Sequence, residues 1–310
     1  MSCAIGSSYT IQPGDTLFNI AQQKLGDGNR WREIKKPDGS QMTDNDASNL
    51  QVGQEICLPN GTVPPSPPLP SGAGFGNIVS QQTYEAMFPH RNALYSYDSL
   101  VRATSKYPSF CNEGSDEQRK REAAAFLANI AHETTGGWDA APDGRFAWGL
   151  HFIEEQNPQS NYCDPSNATY PCAPGQSYYG RGPIQLSWNY IYGAAGQALG
   201  IDLLNNPDSV KSDGNIAFQT ALWFWMTPQL PKPSCHDVMS GRWAPLSDDG
   251  SKGRAPGFGM TINIINGGLE CGKPTPPQVN DRVGFYQHFC QMLGVSIGDN
   301  IYCDRMEPYK

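Results

Sequence analysis

Two glutamates, Glu133 and Glu155, have the sequence positions best suited to acid–base chemistry. Glu133 ends a helical pattern directly before a Thr-Thr-Gly-Gly break, where the partial negative charge of a helix carboxyl end disfavours a carboxylate. Burial there would further favour the protonated acid. A carboxylic acid that stays protonated near neutral pH can protonate the leaving oxygen of a glycosidic bond. A glutamate in the last turn of a helix is more often simply solvent-exposed, so its position alone does not establish this chemistry. A second catalytic carboxylate is also required.

A second carboxylate follows the next loop. Glu154 and Glu155 are adjacent, and spacing does not choose between them. Two carboxyl groups joined by a loop of this length can face each other across a cleft. Inverting glycosidases keep such groups roughly 6.5–9.5 Å apart, which leaves room for an attacking water beneath the sugar ring.

The residues that follow this pair are of the types that line carbohydrate clefts. Amide and hydroxyl groups, which are partners for sugar hydroxyls and acetamido groups, recur at Gln185, Ser187, Asn189, Asn263 and Asn266. Aromatic residues, whose faces stack on pyranose rings, are dense at Trp138, Trp148, Tyr162, Tyr178, Tyr179, Trp188, Tyr190 and Tyr192. Each aromatic alone would more often belong to the core, so only their density favours a sugar-binding cleft.

Three helices are expected to position these residues. Ser115 and Gln118 form a capping box that opens a helix leading to Glu133. Asp213 can cap a second helix through Ile216–Met226, and a third is predicted over 280–293 with Gly294 as its cap. Long segments rich in Gly, Pro and Asn separate them without strand alternation, so the predicted class is mainly α with long loops.

A proline-rich segment, GTVPPSPPLPSGAGF, divides the chain at residues 61–75. Prolines in a Ser/Gly setting exclude a helix or a sheet interior, so we predict an extended linker. The flanking segments, 1–60 and 76–310, differ in character and are predicted to be separate domains.

The segment 1–60 has the pattern of a small βααβ unit. It reads as a strand at Ser8–Gln12, a helix that Asp15 can cap, a shorter helix near 31–35 and a strand at Val52–Leu58. So small a core is marginal, and we predict that a Cys3–Cys57 disulfide ties its ends together.

This unit resembles a LysM domain, on the motifs YTIQPGDTLFNIA at 9–21 and LQVGQEICLP at 50–59. The resemblance implies binding of N-acetylglucosamine polymers, as found in chitin or peptidoglycan. It places sugar contacts on Gly14, Asp15 and Thr16, and on a second loop that includes Asn45.

The larger segment resembles the family 19 chitinases. Four motifs in register carry the resemblance: HETTGGWDAAPDGRFAWG at 132–149, YYGRGPIQLS at 178–187, ALWFWMT at 221–227 and NIINGGLECG at 263–272. The family implies a lysozyme-like, mainly helical fold and hydrolysis of β-1,4 bonds between N-acetylglucosamine units with inversion. It also implies that no metal or cofactor is required.

Matched by position, the family implies a role for each site residue. Glu133 would be the general acid and Glu155 the general base, and Ser187 would help hold the attacking water. Glu270 and Arg282 would form a charged network beneath Glu133. Sugar contacts would come from Tyr162, Gln185, Trp188, Tyr190, Lys232 and Asn266, whereas Ile191 replaces an asparagine that binds sugar in plant members.

The nine cysteines fit an oxidising compartment, and none forms a CxxC pair. The family implies the pairs Cys163–Cys172 and Cys271–Cys303. Cys111 and Cys235 are extra cysteines that we expect to pair, which leaves Cys290 as a buried free thiol. The protein is therefore expected to be secreted, although the N-terminal residues lack the pattern of a signal peptide.

The composition and net charge limit the classes of partner that the protein is expected to bind. A net charge of −8 argues against nucleic acid and anionic lipid surfaces, and no run of 18 apolar residues could span a membrane. The five histidines lack metal-ligand spacing. We expect a monomer that acts on chitin and N-acetylglucosamine oligomers. The alternatives are a peptidoglycan hydrolase, and a chitin-binding protein with a weak or inactive hydrolase domain; retention of both acids disfavours the second.

Overall fold

The structure, a computed structural model, describes residues 3, 6–12, 15, 17–25, 28–43, 46–47, 50–59 and 74–309. The chain divides into two compact units, 1–69 and 70–310. Most of the predicted linker lies outside the described residues. Its last two residues, Gly74 and Phe75, begin the first helix of the larger unit, and Phe75 is fully buried.

The small unit pairs its two ends. Strand β1 (Ser7–Thr10) runs antiparallel to β2 (Glu55–Leu58), with Ser8 opposite Cys57. Helix α1 (Leu17–Leu25) and a 3-10 helix (Gly28–Glu33) follow β1 in the chain. Their buried side chains form one core with the strands: Ile11, Leu17, Ile20, Ala21, Leu25, Ile34, Met42, Ile56 and Leu58. The predicted Cys3–Cys57 disulfide is present, so the strand ends are covalently joined.

The larger unit is built from helices. In chain order they are α2 (Gly74–Ile78), α3 (Gln81–Met87), α4 (Tyr97–Thr104), α5 (Asp116–Thr134), α6 (Asn189–Leu199), α7 (Ser209–Ser212), α8 (Gly214–Met226), α9 (Cys235–Ser240), α10 (Ser247–Ser251), α11 (Phe258–Glu270) and α12 (Pro277–Met292). No extended sheet is formed by these residues; the long segment between α5 and α6 contains only isolated bridges.

Helix α5 is the central element. Its predicted capping box is present, with the Gln118 amide bonded to the Ser115 hydroxyl and the Ser115 amide to the Gln118 side chain. Helix α12 packs along it. The helix ends where Thr134 turns its hydroxyl to the backbone, accepting a hydrogen bond from the amide of Leu150 at 2.8 Å. Because Glu133 lies in this last turn, the packing that fixes α5 also fixes Glu133.

The other two predicted helices are confirmed with small shifts. Asp213 caps α8 through the amides of Asn215 and Ile216. Helix α12 begins earlier than predicted, at Pro277, and ends before Gly294, which has a φ of 61°. A proline in the first turn costs nothing there, because its missing N–H has no partner within the helix.

The prediction of a Cys111–Cys235 disulfide is wrong. The structure contains Cys163–Cys172 and Cys271–Cys303, but both Cys111 and Cys235 are free and buried, as is Cys290. Each thiol packs singly in the core as a small hydrophobic group. Burial raises the pKa of all three thiols, which makes them unreactive.

A buried carboxylate replaces the expected bridge in this part of the core. Glu122, on α5, is fully buried and accepts hydrogen bonds from the Cys111 amide (2.9 Å) and the Trp225 indole (3.1 Å). It also contacts Nδ1 of His236 at 2.6 Å. Burial lowers the pKa of His236, but the hydrogen bond and charge of Glu122 outweigh it and raise the pKa above its ordinary value. The polar group thus ties α5, α8 and α9 together.

Candidate active site

A single cleft of about 490 Å³ in the larger unit brings most of the predicted site residues together. Predicted residues that line it are Glu133, Glu155, Tyr162, Gln185, Ser187, Trp188 and Asn266. The lining is completed by Gly180, Ile184, Leu186, Ile191, Phe224 and Ile265. One wall comes from the ends of α5 and α11, and the other from the long segment between α5 and α6. Two carboxylates from different elements therefore open into the same space.

Glu133 contacts a buried positive charge. The Arg282 guanidinium donates a short hydrogen bond from Nη2 to Oε1 of Glu133. The side chain of Arg282 is 1% exposed and that of Glu133 is 19% exposed, so the pair lies at the floor of the cleft. The helix end was visible in the sequence near Glu133, whereas the contact with Arg282 was expected only from the family resemblance.

Glu270 completes the network beneath the acid. Nε and Nη2 of Arg282 donate to its two oxygens at 2.9 and 2.8 Å, and Asn266 donates to Oε1 at 2.7 Å. Burial raises the pKa of Glu270, but these hydrogen bonds and the Arg282 charge reverse that effect and hold the pKa below its ordinary value. The charged network predicted for Glu133, Glu270 and Arg282 is therefore present. Asn129 joins it by accepting a hydrogen bond from Nη1 of Arg282.

Glu155 is held through both carboxylate oxygens. The Tyr162 hydroxyl donates to Oε1 at 2.7 Å, and the Gly180 amide donates to Oε2 at 3.2 Å. The hydrogen bond to Glu155 is the main reason that the pKa of Tyr162 is raised to about 12. Within the part of the chain that the structure describes, the Glu155 carboxylate is held by neutral donors, with no cation in hydrogen-bond contact.

Glu154 belongs to a different environment, which resolves the ambiguity left by spacing. Its carboxylate accepts from Lys211 at 2.8 Å and from the Tyr179 hydroxyl at 2.9 Å, and it does not line the cleft. Glu154 pairs with Arg181 in an isolated bridge, and successive side chains of such paired backbone point to opposite sides. Glu155 faces the cleft, and Glu154 anchors this segment through Lys211 and Tyr179.

The segment opposite Glu133 has unusual backbone geometry. Tyr162, Gln185 and Trp188 have positive φ angles of 53°, 51° and 74°. Such conformations are uncommon for residues with a side chain and are concentrated at binding and active sites. Between them, Ser187 donates its hydroxyl hydrogen to the Gln185 carbonyl at 2.9 Å. The Ser187 oxygen is consequently an acceptor towards the cleft.

Two predicted sugar contacts are not among the residues that line the cleft. Tyr190 stacks on Trp188 with ring centroids 6.1 Å apart, so it lies one ring away. Lys232 donates to the Ile264 carbonyl at 3.0 Å, and burial lowers its pKa. Lys232 therefore supports the chain behind Ile265 in this structure.

Some site residues were not predicted. The apolar lining residues Ile184, Leu186, Phe224 and Ile265 belong to the core or pack against it, and the sequence carries no signal that they also face the cleft. Asn129 had no signal either. Nδ1 of His132 contacts Asp281 at 2.7 Å, and Asp281 also accepts from the Gly137 amide at 2.9 Å. These contacts secure the loop that follows Glu133.

In the small unit, Asp15 is the one predicted sugar contact that the structure describes. Its carboxylate accepts from the Tyr9 hydroxyl at 2.8 Å and from the Gln12 amide at 2.7 Å, so it closes the turn before α1. Gly14, Thr16 and Asn45 lie outside the described residues.

The described part of the chain holds no group of three or more His, Cys, Asp or Glu side chains arranged for a metal ion. None of its helices is both long and apolar enough to cross a bilayer.

Comparison with known proteins places this geometry in a family. Residues 78–303 match the profile of glycoside hydrolase family 19, described as class I chitinase, and residues 9–59 match the LysM domain. An endochitinase from Carica papaya is 54% identical over 243 residues, covering 76% of this chain and 100% of that protein. An inactive chitinase-like protein from Hevea brasiliensis is 54% identical over 245 residues, covering 77% of this chain and 78% of that protein.

A solved structure shares the fold. Chitinase C from Streptomyces griseus HUT6037 matches with a TM-score of 0.61 and 43% identity, covering 73% of this chain and 97% of that one. This confirms the mainly helical fold that the motifs predicted. The chain therefore belongs to the class I chitinases of glycoside hydrolase family 19, with a LysM domain preceding the family domain.

Proposed function

We propose that this protein is an endo-acting chitinase that hydrolyses β-1,4 bonds between N-acetylglucosamine units with inversion, aided by a LysM module that binds the same polymer. The observation that carries the proposal is that Glu133 and Glu155 line one cleft, each held by its own donors. Family membership supports the substrate. Because one relative is described as inactive, the two carboxylates matter more than family alone.

Glu133 acts as the general acid. It protonates the glycosidic oxygen as the bond to the anomeric carbon breaks. The carboxylate that remains is negatively charged, and Arg282 is already in place to stabilise it without reorganisation. Glu270, which itself accepts a hydrogen bond from Asn266, holds the guanidinium in this position.

Glu155 acts as the general base on a water molecule. Tyr162 and the Gly180 amide fix its oxygens, so its direction is set before substrate arrives. Since Ser187 gives its own hydrogen to Gln185, its oxygen can accept one from the same water. A water that donates to both Glu155 and Ser187 directs a lone pair at the anomeric carbon, on the face opposite the leaving group.

The cleft walls provide binding. Trp188, which is 39% exposed, offers an aromatic face, and Gln185 and Asn266 offer amides. Ile184, Ile191 and Phe224 provide apolar surface for the methyl group of an acetamido substituent. Tyr190 and Lys232 are retained as proposed contacts for sugar units beyond this central part.

The anomeric form of the first products tests the mechanism. N-acetylglucosamine hexamer is digested briefly and the products are separated before mutarotation. An inverting enzyme releases the α-anomer first, which is the expected result. Initial β-anomer would contradict inversion, and no hydrolysis by the wild type would favour a chitin-binding protein. Clearing of bacterial walls without hydrolysis of the hexamer would instead indicate a peptidoglycan hydrolase.

Glu154→Gln is expected to leave kcat on the hexamer within about threefold of wild type. The side chain is engaged by Lys211 and Tyr179 outside the cleft, and a partly exposed ion pair of this kind contributes only about 0.2–1 kcal/mol. Steady-state kinetics of the two single variants, Glu154→Gln and Glu155→Gln, measure the difference. A large loss in Glu154→Gln and not in Glu155→Gln would mean that the base has been assigned to the wrong residue.

Removal of residues 1–70, which leaves helix α2 and its buried Phe75 intact, is expected to spare hydrolysis of soluble hexamer and to weaken attack on insoluble chitin. A tethered binding module raises the local concentration of the catalytic domain at a surface that carries many sites. The hydrolysis rates of the truncated and full chains are compared on both substrates. Sedimentation measures how much of each protein binds to insoluble chitin. Because helix α2 begins at Gly74 and Phe75 is buried, the truncation ends before both residues. An equal loss on both substrates would contradict a targeting role.

We also propose that the protein acts outside the cell as a monomer. Three disulfides support an oxidising compartment, because such bonds are rare in a reducing cytosol. Light scattering of the purified full chain measures the oligomeric state.

A further inference from the structure

The loop closed by the Cys163–Cys172 disulfide lies directly beside the proposed base. Tyr162, which donates to Glu155, immediately precedes Cys163. A disulfide restricts the conformations of such a loop, but it does not fix where the loop lies on the domain. Some other contact must therefore hold Tyr162 in place.

Asn189, the first residue of α6, makes that contact. Its side chain is fully buried, and its Oδ1 accepts from the Asp164 amide at 2.8 Å. Its Nδ2 donates to the Tyr170 carbonyl at 2.7 Å and to the Asp164 carbonyl at 3.2 Å. Its own amide donates to the Tyr162 carbonyl at 3.2 Å. One residue thus binds both ends of the disulfide loop and the backbone of Tyr162.

Packing against helix α6 also restricts the position of this loop. Tyr170 packs so closely on Gly193, one turn further along α6, that a Cβ at Gly193 would lie 2.3 Å from the Tyr170 ring. Tyr162 holds a positive φ of 53°, which a residue with a side chain adopts only where contacts enforce it. Its ring also packs edge-on against Trp188, 5.4 Å away.

We propose that Asn189 is a positioning residue of the reaction, fixing Tyr162 so that its hydroxyl aims Glu155 at the attacking water. The proposal rests on the proposed function, since it assumes that Glu155 is the general base. The Asn189 side chain bonds to Asp164 and Tyr170 and touches neither the Glu155 carboxylate nor the cleft, so it acts through the loop that adjoins Tyr162. Its substitution is expected to lower kcat rather than to raise KM.

The test uses the full chain and N-acetylglucosamine hexamer. Asn189→Ala is expected to lower kcat by about 10- to 100-fold, the scale of a small misplacement of a catalytic group, with KM changed less than about threefold. Asn205→Ala is the matched control, because that exposed asparagine bonds only to Asp202 of its own turn through its side chain. It is expected to keep wild-type kcat.

A double-mutant cycle with Tyr162→Phe separates positioning from general damage. If Asn189 acts through the Tyr162 hydroxyl, adding Asn189→Ala to Tyr162→Phe costs less than about twofold in kcat. Multiplicative losses, or wild-type kcat in Asn189→Ala, would overturn the proposal. An inactive wild type would instead reject the proposed function.

If Asn189→Ala does not fold, Gly193→Ala provides a second test, because the added methyl group pushes against Tyr170 of the same loop. Gly250→Ala is its control. Gly250 also lies in a helix, but an added Cβ there meets open space. Gly193→Ala is expected to show the same kcat loss and the same dependence on Tyr162. Wild-type kcat in this variant would overturn the proposal.

Discussion

Glu133→Gln is expected to lower kcat on N-acetylglucosamine hexamer by about a thousandfold, within the range of general acid catalysis. The amide keeps the size of the carboxyl group and an oxygen that Arg282 can bond, but it has no proton to give to a leaving oxygen. Affinity for the hexamer should change little, because the cleft lining is intact. Stopped-time product analysis and calorimetric titration measure the two quantities.

Glu154→Gln is the control that makes this result specific, since it removes a carboxylate of the same segment outside the cleft. A substrate with a good leaving group, such as a nitrophenyl glycoside of an N-acetylglucosamine oligomer, should recover part of the lost rate, because it needs less protonation. If Glu133→Gln retains more than a tenth of wild-type kcat on the hexamer, another group is the acid.

The second large effect concerns the charge beneath the acid. Arg282→Met is expected to lower the free energy of unfolding by about 3–5 kcal/mol at pH 7, because Glu133 and Glu270 lose the buried cation between them. Urea denaturation of both proteins measures the difference. Arg242→Met is the matched control: that arginine pairs with Glu113 on the surface, and its loss should cost under about 1 kcal/mol.

The pH dependence of this difference identifies its cause. The pKa of Glu270 is lowered in the folded protein, so its contribution to stability is present above the unfolded pKa and is lost as pH falls through the folded one. Arg282→Met removes the source of that shift. The stability difference between wild type and variant should therefore shrink as pH falls below about 4.3, the ordinary value for glutamate. A difference that is constant from pH 7 to pH 3 would indicate lost packing and not lost charge.

Local chemistry explains which parts of the fold were predictable. The capping box at Ser115 and the cap at Asp213 each depend on residues within a few positions, so their helices were placed almost correctly. The predicted start of helix α12 at residue 280 is too late because proline, which breaks a helix interior, is tolerated in the first turn at Pro277. The Cys111–Cys235 pairing failed because the closeness of two cysteines depends on tertiary packing, which their spacing does not encode.

The residues of the site also differ in how far the sequence could predict them. Glu133 could be recognised from its helix end, and the remaining roles came from motif resemblance. Distinguishing Glu155 from Glu154 by residue type was impossible, since the difference lies in partners 25 and 57 residues away along the chain, Gly180 and Lys211. The apolar lining could not be separated from core, because both consist of the same residue types.

The bridged backbone at residues 153–155 has a consequence for how this region can vary. Its amides and carbonyls pair with Gly180 and Gly182, which fixes the register. Side-chain direction alternates along such a backbone, so a one-residue insertion or deletion ahead of Glu154 reverses every direction after it. The anchoring carboxylate would then enter the cleft and the base would turn towards Lys211. This stretch can change by substitution, but its length is fixed by the alternation itself.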